Sequence, residues 1–236
     1  MNSNEYYQKN ANFNKRKLKE GISDERNAHN FIKSTLIKQY VNAKDNILDI
    51  GCGKGGDVTK FQRQGITKYT GIDNSKNSLE VCHQRISKTN MKYDLILDTI
   101  YSQNGFGENY YDIVSAQFSF HYGFENVEYA NQSIANVYKC LKKNGYFIGT
   151  IPISETSYEK VKASIVGYND VFFEPSVSIS EFKTKMMEHG FKPILLQGFL
   201  DYYKKKSIEE EELLKLMKAD VCKPCDHYHV FVFLKT

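Results

Sequence analysis

The chain has 236 residues, of which 41% are hydrophobic and 25% are charged, and its net charge is +4. This length and composition suit one globular domain, and the mild charge permits an anionic ligand without requiring one. Five cysteines, scattered except for Cys222 and Cys225, argue against a disulfide scaffold and are typical of free thiols in a reducing, intracellular compartment. No apolar run reaches the roughly 18 residues of a membrane span, so we expect no membrane contact.

Residues 1–28 form a polar and basic N-terminal arm, with four lysines or arginines between residues 15 and 19. Such an arm is either a frayed terminus or a segment that contacts phosphate. Residues 29–236 are expected to form one domain, with a short substrate-side insertion at about 153–178. A short amphipathic helix over 30–37 opens this domain, and Lys33 on it either faces solvent or reaches a ligand near the first strand.

Residues 47–57 read ILDIGCGKGGD, an apolar run followed by four glycines in six positions. This order predicts a buried strand, a tight turn and the start of a helix. Glycine has no Cβ and tolerates positive φ, so a ligand can lie against the bare backbone of such a turn. The N–H groups at the helix start add a field that favours negative groups.

The spacing of these glycines narrows the choice of ligand. A nicotinamide-binding turn requires G-x-G-x-x-G, whereas Gly51, Gly53 and Gly55 are spaced as G-x-G-x-G, with Asp49 just before them. That spacing is the pattern of S-adenosylmethionine-dependent methyltransferases. Asp73 ends the second predicted strand, about 20 residues after Gly51, where a carboxylate can accept both ribose hydroxyls of a nucleoside. The alternative is an ordinary turn whose glycines only permit close packing.

The third and fourth predicted strands end in further candidate site residues. A short strand at 95–97 leads to Asp98, an acid placed to accept from an adenine amino group. The fourth strand, at 111–118, leads directly to His121 and Tyr122. Because an open parallel sheet binds its ligand beyond the C-terminal ends of its strands, we expect these side chains to line the site.

The rest of the chain continues the alternation of helices and strands that is typical of an α/β fold. Segment 154–173 is expected to be a short helix and loop across the substrate face, followed by a turn at 174–175. The glutamates of a helix at 207–218 are read as a solvated face. The other predicted helices are 57–64, 74–87, 128–143 and 180–189, and the other strands are 47–50, 68–72, 146–151, 192–199 and 228–235.

Cys222 and Cys225 form a C-x-x-C motif that is followed by His227 and His229. Two cysteines with two histidines can supply four zinc ligands, but these histidines fall where a strand should start. A metal site, a reactive dithiol and plain loop thiols all stay open, and we favour the last and predict no metal.

Together these pieces resemble the messenger-RNA cap (guanine-N7) methyltransferases over most of the chain. The likeness rests on NFIKS at 30–34, LDIGCGKGGD at 48–57, QFSFHYGFE at 117–125 and GYFIGTIP at 145–152. The glycine stretch alone indicates only a methyltransferase, whereas the other stretches in this order indicate the cap enzymes. The resemblance implies an α/β, class I S-adenosylmethionine-dependent methyltransferase fold: Rossmann-like, with a mostly parallel seven-stranded sheet and helices on both faces.

The resemblance also implies two sets of site residues. The cap guanine is expected to meet the tyrosine of His-Tyr with the histidine beside it, a glutamate before the penultimate helix of the sheet and a tyrosine that opens the last strand. The implied cofactor contacts are Lys33, Asp49, Gly51, Gly53, Asp73, Asp98 and Gln117. The implied cap contacts are Asn30, Lys54, Asp57, His121, Tyr122, Glu174 and Tyr228.

The sequence departs from the family pattern in three places. His29-Asn30-Phe31 stands where the family usually has Asn-Asn-Trp, and Ile153-Ser154 stands where it usually has Asn or Asp followed by Ser. Segment 152–174 is shorter than the family's insertion, which carries a hairpin over the cap. We therefore expect a reduced lid, and the positions of Glu174 and Tyr228 depend on an alignment across this gap.

The implied reaction transfers a methyl group from S-adenosylmethionine to N7 of the terminal guanosine of a 5′-5′ triphosphate-capped RNA. Guanine N7 carries an in-plane lone pair, so the in-line displacement requires neither metal nor general base, and alignment can supply the catalysis. His121 is accordingly interpreted as a wall or hydrogen-bond donor that, with Tyr122 and Glu174, positions the base.

Two other functions stay open. One is an S-adenosylmethionine-dependent methyltransferase that acts on a small molecule or another RNA position, and the other is a catalytically silent methyltransferase-like capping subunit. The intact glycine turn with two nucleoside acids argues against the silent subunit. The implied partner is the capped 5′ end of RNA, with further capping domains or a stimulatory subunit left open. The expected compartment is the nucleus for a cellular eukaryotic enzyme and the cytoplasm for one encoded by a cytoplasmic virus.

Overall fold

The computed structural model describes residues 20–164, 171–220 and 227–236, and side chains within 25–159, 173–220 and 227–236. Cys222 and Cys225 lie outside these residues, so the three interpretations of their motif stay open. The strands are β1 Asn46–Ile50, β2 Lys68–Asp73, β3 Lys92–Leu97, β4 Tyr111–Gln117, β5 Leu141–Pro152, β6 Lys160–Ser164, β7 Val171–Pro175, β8 Phe191–Gly198 and β9 Tyr228–Lys235. The helices are α1 Glu20–Tyr40, α2 Val58–Arg63, α3 Lys76–Ile86, α4 Val127–Cys140, α5 Ile179–Glu188, α6 Phe199–Glu209 and α7 Glu211–Leu216, with a 3-10 helix at Phe120–Glu125.

Within the described ranges, a seven-stranded sheet runs in the order β3-β2-β1-β4-β5-β9-β8. The neighbours from β3 to β5 are parallel, and β9 is antiparallel to both β5 and β8. The predicted fold class, with its mostly parallel seven-stranded sheet, is therefore confirmed. The strand order reverses at β1, which lies between β2 and β4, and open α/β sheets bind their ligands at such a reversal.

Helices cover both faces of this sheet, and the short strand β1 shows why. All five of its residues are buried, as is typical of a parallel strand with helices on both sides. Ile47 packs with Leu36 and Phe61 in a cluster formed with α1, α2 and α3. Leu48 and Ile50 point to the opposite face, where they join a cluster that includes residues of α4 and α5.

Two helix predictions differ from the structure. α1 begins at Glu20, inside the segment predicted as the N-terminal arm. The prediction of a single helix at 207–218 is wrong, because α6 and α7 are separated at Glu210, whose φ of −131° and ψ of 43° leave the helical region. None of the described helices has the length and apolar content needed to cross a bilayer.

The segment predicted as a short helix and loop at 154–173 contains a hairpin instead. Strands β6 and β7 pair antiparallel, with Lys160 opposite Pro175. Glu174 therefore lies near the end of a strand, and the predicted turn at 174–175 is wrong. The Val-Phe-Phe sequence of β7 favours a strand, but the lysine-rich sequence of β6 does not, so the pairing depends on contacts formed in the folded chain.

Lys235, at the end of β9, is buried and satisfied by three oxygen atoms. Its Nζ lies 2.9 Å from Asn109 Oδ1, 2.6 Å from the carbonyl of Tyr138 and 2.7 Å from the carbonyl of Leu141. This ammonium thus fastens β9, which lies between β5 and β8 in the sheet, to the end of α4 and the start of β5. A buried acceptor that loses its donor carries its full desolvation penalty.

We predict that Lys235→Met lowers the free energy of unfolding by about 1–3 kcal/mol, because the buried carbonyl of Leu141 and two less buried acceptors lose their donor. Urea unfolding measures this change. Lys139→Met is the matched control, since the ion pair of Lys139 with Glu108 is solvent-exposed and should leave the midpoint nearly unchanged. Equal shifts in the two variants would contradict the prediction.

Candidate active site

A cavity of about 450 Å³ opens where the parallel strands β1, β2 and β4 end. The turns after these strands, the loop after β3, the 3-10 helix and the hairpin all contribute to its wall. A second depression, between α3 and β3, is lined by other residues, including Leu79 and His83. Of the predicted site residues, the main cavity brings together Gly51, Gly53, Asp73, Asp98, Gln117, Tyr122 and Glu174.

The glycine turn after β1 adopts a backbone that other residues avoid. The φ angles of Gly51, Gly53 and Gly55 are 64°, 52° and 70°, all in the left-handed region. A Cβ on Gly51 would lie 2.3 Å from the Cβ of Ser119. The hydroxyl of Ser119 in turn donates to the carbonyl of Ile50 at 2.6 Å. The turn is therefore packed directly onto the segment that follows β4.

Asp73, at the end of β2, is fixed by the same turn. Its Oδ2 accepts from the N–H of Gly53 at 2.8 Å and its Oδ1 from the N–H of Ser75 at 2.9 Å. Burial raises the pKa of Asp73, and these two hydrogen bonds oppose that rise. A carboxylate offers about four lone-pair positions, so Asp73 keeps acceptor capacity for a ligand in the cavity.

Asp98 lies just after β3, in a loop that folds on itself. Its Oδ1 accepts from the N–H of Thr99 at 2.8 Å, and its Oδ2 from Nδ2 of Asn104 at 3.2 Å. Burial opposes ionisation, but these hydrogen bonds outweigh it and lower the pKa of Asp98. Asp98 is thus an ionised acceptor in the cavity wall.

The end of β4 supplies Gln117 and Phe118. The Nε2 of Gln117 donates to Ser115 Oγ at 3.2 Å, and its Oε1 accepts from Thr150 Oγ1 at 3.2 Å. Phe118 has a φ of 58°, a strained value for a bulky residue that is typical of functional sites. Phe118 is one of the residues that line the cavity. Sequence analysis did not select Phe118, because no signal in the sequence marks a positive φ at a non-glycine residue.

Asp49 lies behind the glycine turn. It is fully buried, and the hydroxyl of Tyr69 donates to its Oδ2 at 2.8 Å. Burial and the nearby charge of Asp57 raise the pKa of Asp49 to about 7. The side chain of Asp49 braces β1 against β2, and its predicted contact with the cofactor stays a prediction.

Lys33, Asp57 and Lys60 form a buried ion cluster between α1 and α2. Asp57 Oδ1 lies 2.9 Å from Lys33 Nζ and 2.6 Å from Lys60 Nζ. Burial disfavours the carboxylate, but the two ammonium groups hold the pKa of Asp57 at about 2. Lys60 also donates to Asn30 Oδ1 at 3.1 Å. Asn30 and Asp57 thus both contact this cluster, and their predicted cap contacts stay predictions. Sequence analysis missed Lys60.

Two more predicted cap residues, Lys54 and Tyr228, lie beside the cavity. The ring of Tyr228 packs against Phe118 at 4.9 Å and against Phe199 and His29 at 5.4 Å each. Tyr228 therefore packs against Phe118, and its predicted cap contact stays a prediction. Burial, with a smaller contribution from a neighbouring arginine, lowers the pKa of Lys54, which follows Gly53 in the turn.

His121, Tyr122 and Glu174 form a contact group that joins the 3-10 helix to the hairpin. The hydroxyl of Tyr122 donates to Glu174 Oε1, and His121 Nε2 lies 3.4 Å from Glu174 Oε2. Although burial opposes it, the neighbouring His121 and Tyr122 lower the pKa of Glu174. Among the described residues, neither ring nitrogen of His121 has a well-formed hydrogen bond. Glu174 is therefore an ionised acceptor held at the cavity wall, as its predicted role requires.

Comparison with known proteins identifies the family. Residues 2–193 match the mRNA (guanine-N(7))-methyltransferase domain. The chain belongs to this family. The mRNA cap guanine-N(7) methyltransferase of Saccharomyces cerevisiae is 42% identical over an alignment of 144 residues, and the match covers 55% of this chain and 32% of the yeast protein. Cap guanine-N(7) methyltransferase 1 of Arabidopsis thaliana is 34% identical over an alignment of 152 residues, and the match covers 57% of this chain and 40% of the plant protein. The matches thus span about a third of the length of these relatives.

A solved structure supports the same fold. The 1,6-didemethyltoxoflavin-N1-methyltransferase of Burkholderia thailandensis, with bound S-adenosylhomocysteine, has a TM-score of 0.62 and 16% sequence identity. The similarity covers 89% of this chain and 78% of the Burkholderia chain. It shows that the mRNA (guanine-N7)-methyltransferase domain has the class I methyltransferase fold.

The cofactor of the family, S-adenosylmethionine, fits the residues of the main cavity. Ile50, Ile72 and Ile100 give the cavity an apolar part that suits an adenine ring. Asp73 and Asp98 add two carboxylates for the polar edge of a nucleoside. The glycine turn supplies backbone without side chains, as a close ligand approach requires.

We predict that Gly51→Ala abolishes S-adenosylmethionine binding, because the added Cβ collides with Ser119 at a φ of 64°. Titration calorimetry measures the binding. Gly56→Ala is the control, since a Cβ there meets no described atom within 4 Å. Retained binding in Gly51→Ala would show that the turn can move away from Ser119.

The ion cluster predicts a pH dependence of stability. The folded pKa of Asp57, about 2, lies below its usual 3.8. The ionised carboxylate of Asp57 therefore adds about 2 kcal/mol to the free energy of unfolding above about pH 4. This contribution is lost as the pH falls toward about 2. Urea unfolding measures the free energy of unfolding of the wild type and of Asp57→Asn. The difference between the two should shrink as the pH falls over this range.

Asp201→Asn is the control for this titration, since Asp201 pairs with Lys204 at the surface. The free energy of unfolding of Asp201→Asn should differ from that of the wild type by the same amount throughout this pH range. A flat difference for Asp57→Asn as well would mean that the two lysines do not stabilise the ionised carboxylate.

Proposed function

We propose that this chain transfers the methyl group of S-adenosylmethionine to N7 of the terminal guanosine of a 5′-5′ triphosphate-capped RNA. One observation carries the proposal. The hairpin places the ionised carboxylate of Glu174 at the wall of the cavity that also contains the glycine turn, and Tyr122 and His121 hold it there. The same cavity thus combines a nucleoside cofactor site with an acceptor suited to guanine.

The carboxylate of Glu174 matches the Watson–Crick edge of guanine. That edge presents two donors, N1–H and the exocyclic amine, which one carboxylate can accept together in a charge-assisted pair. Tyr122 donates to one oxygen of Glu174 and leaves lone pairs on both for a ligand. The pair strengthens when N7 methylation makes the base cationic, so it favours the developing charge of the transition state.

Alignment is the main contribution of the chain to the reaction. The cofactor, when bound, supplies a methyl group on a positively charged sulfur, which an in-plane lone pair attacks in line. Holding the reacting atoms about 3–3.5 Å apart lowers the barrier by several kcal/mol. No proton leaves guanine N7, so His121 serves as a hydrogen-bond donor and wall. An aromatic face such as that of Tyr122 stabilises a nearby cation by about 0.5–2 kcal/mol.

The other site residues divide into those that touch ligands and those that act through neighbours. Asp73 takes the ribose, Asp98 the adenine, and Lys33 the carboxylate of the cofactor. Lys54 lies at the mouth, where the triphosphate of the cap requires cations. Asn30 and Asp57 position Lys33, Asp49 braces the turn, and Tyr228 supports Phe118. The remaining cofactor contacts come from Gly51, Gly53 and Gln117.

The RNA partner of this proposal is the capped 5′ end of a transcript, which places the protein in the nucleus or cytoplasm. The polar arm at residues 1–28 is proposed to contact RNA phosphate through its basic cluster. A chain that binds the cofactor but transfers no methyl group to any RNA in the assay below would point to a missing capping partner or to a different substrate.

Methyl transfer from labelled S-adenosylmethionine to capped RNA tests the proposal. The substrate is an RNA with an unmethylated guanosine cap, and the controls are the same RNA methylated at N7 and an uncapped triphosphate RNA. We expect transfer to the first RNA alone. Transfer to all three would indicate an acceptor other than N7, and transfer to none, with the cofactor bound, would overturn the proposal for the isolated chain.

We predict that Glu174→Ala preserves S-adenosylmethionine binding but lowers kcat/KM for capped RNA, with a loss of about 2–3 kcal/mol in transition-state stabilisation. The reason is the loss of the charge-assisted pair with guanine. Steady-state kinetics at saturating cofactor measure the change. Glu188→Ala, at an exposed position of α5, should match the wild type. Unchanged kinetics of Glu174→Ala would remove Glu174 from the cap site.

A further inference from the structure

The loop after β3, residues 98–104, forms one wall of the cavity. Asp98, Thr99, Ile100 and Tyr101 all line the cavity. Hydrogen bonds inside the loop, from Asn104 to Asp98 and to Ser102 Oγ, fix its own shape. They do not set its position relative to the sheet, so a second element has to hold the loop in place.

Asn136 of α4 makes that connection. It is 5% exposed, and its Nδ2 donates to the carbonyl of Ile100 at 2.6 Å and to the carbonyl of Ser102 at 2.9 Å. One amide group therefore uses both of its hydrogens on two loop carbonyls. Gln132 Nε2 donates to Asn136 Oδ1 at 2.9 Å, and this bond fixes which end of the amide faces the loop.

A stacked pair of rings provides a second connection from the same helix. The rings of Tyr101 and Tyr129 lie 4.4 Å apart at an interplanar angle of 8°. The N–H of Tyr129 is capped by Asn126 Oδ1 at 2.8 Å, so the stack rests on the well-formed first turn of α4. Two independent contacts, one polar and one aromatic, thus join α4 to the loop.

We propose that Asn136 is a positioning residue for the cofactor. It holds the loop at 98–104 against the adenosine half of the bound cofactor. The inference rests on the proposed assignment of the Asp98 side of the cavity to adenosine, and it is independent of the methyl acceptor. Asparagine suits this task because it presents two donors to the carbonyls and an acceptor to Gln132. Aspartate has nearly the same shape, but it would present an oxygen to two carbonyl oxygens.

Asn136→Asp tests the proposal in the full-length chain by titration with two ligands. S-adenosylhomocysteine carries both halves of the cofactor, and 5′-methylthioadenosine keeps the adenosine but lacks the amino-acid half. We expect both ligands to bind about tenfold more weakly, the effect of roughly one lost hydrogen bond to each carbonyl. The KM for S-adenosylmethionine should rise, while kcat at saturating cofactor and the KM for capped RNA stay near wild type.

Two further variants separate positioning from general damage. Asn131→Asp lies on the same helix, where Asn131 accepts from Lys185 at the surface, and should leave both affinities unchanged. Lys33→Met should weaken S-adenosylhomocysteine but not 5′-methylthioadenosine, because Lys33 is proposed to meet the amino-acid half. If Asn136→Asp does not fold, Gln132→Leu is the alternative variant, because it removes the hydrogen bond that orients the amide of Asn136. It should weaken both ligands in the same way as Asn136→Asp, but by a smaller factor.

Three results would overturn the inference. The first is unchanged affinity in Asn136→Asp and Gln132→Leu, the second is a loss confined to S-adenosylhomocysteine, and the third is a fall in kcat together with a rise in both KM values. Failure of the cap assay alone would leave these binding results intact. The inference and the proposed function can therefore fail separately.

Discussion

One steric constraint organises the site: the turn after β1 has no room for a side chain at Gly51. The turn packs onto Ser119, whose hydroxyl bonds back to the carbonyl of Ile50. The next glycine, Gly53, donates its N–H to Asp73. Through these contacts, one backbone segment fixes the ends of three strands relative to one another. A ligand that lies on this turn therefore meets groups from β1, β2 and β4 in a set arrangement.

Buried charge is the second factor that shapes the site. On the side of α1 and α2, Asp57 contacts two lysines, so the cluster carries an excess positive charge. At the hairpin, Glu174 stays ionised against the hydroxyl of Tyr122 and the ring of His121. Burial weakens screening by water and salt, so these fields act strongly on nearby groups. Carboxylate or phosphate groups suit the first region, and a base with two donors suits the second.

Many residues that determine the geometry of the site do not touch the cavity. Asp49 joins β1 to β2 through Tyr69, Lys60 orders the ion cluster, and Asn136 holds the loop after β3. Such residues fix the side chains that meet ligands, and a small displacement of those side chains costs much of the benefit of alignment. The family's chemistry requires no reactive side chain. Holding the ligand-contacting side chains in place is therefore a large part of what the fold contributes to catalysis.

The sequence by itself determined the fold class, most strand positions and the cluster of residues at the strand ends. Gly51, Asp73 and Asp98 were predictable because strand periodicity and glycine spacing are local signals, and the sheet brings the ends of its parallel strands to one edge. Gln117 was predicted only through the resemblance to the family. Strand β9 was predicted with its observed bounds, since it alternates aromatic and aliphatic residues. Strand β5 began earlier than predicted, at Leu141, because its first residue pairs with Tyr111 across a bulge.

Only the tertiary structure decided the hairpin, the positive φ of Phe118 and the partners of the buried polar groups. The pairing of β6 with β7 joins segments without a shared local pattern, and the direction in which Asn30 or Tyr228 points depends on neighbours distant in the chain. A buried polar side chain has to find a partner wherever the fold offers one. Residue type and spacing therefore indicate which side chains can serve a site, whereas packing decides which of them face the ligand.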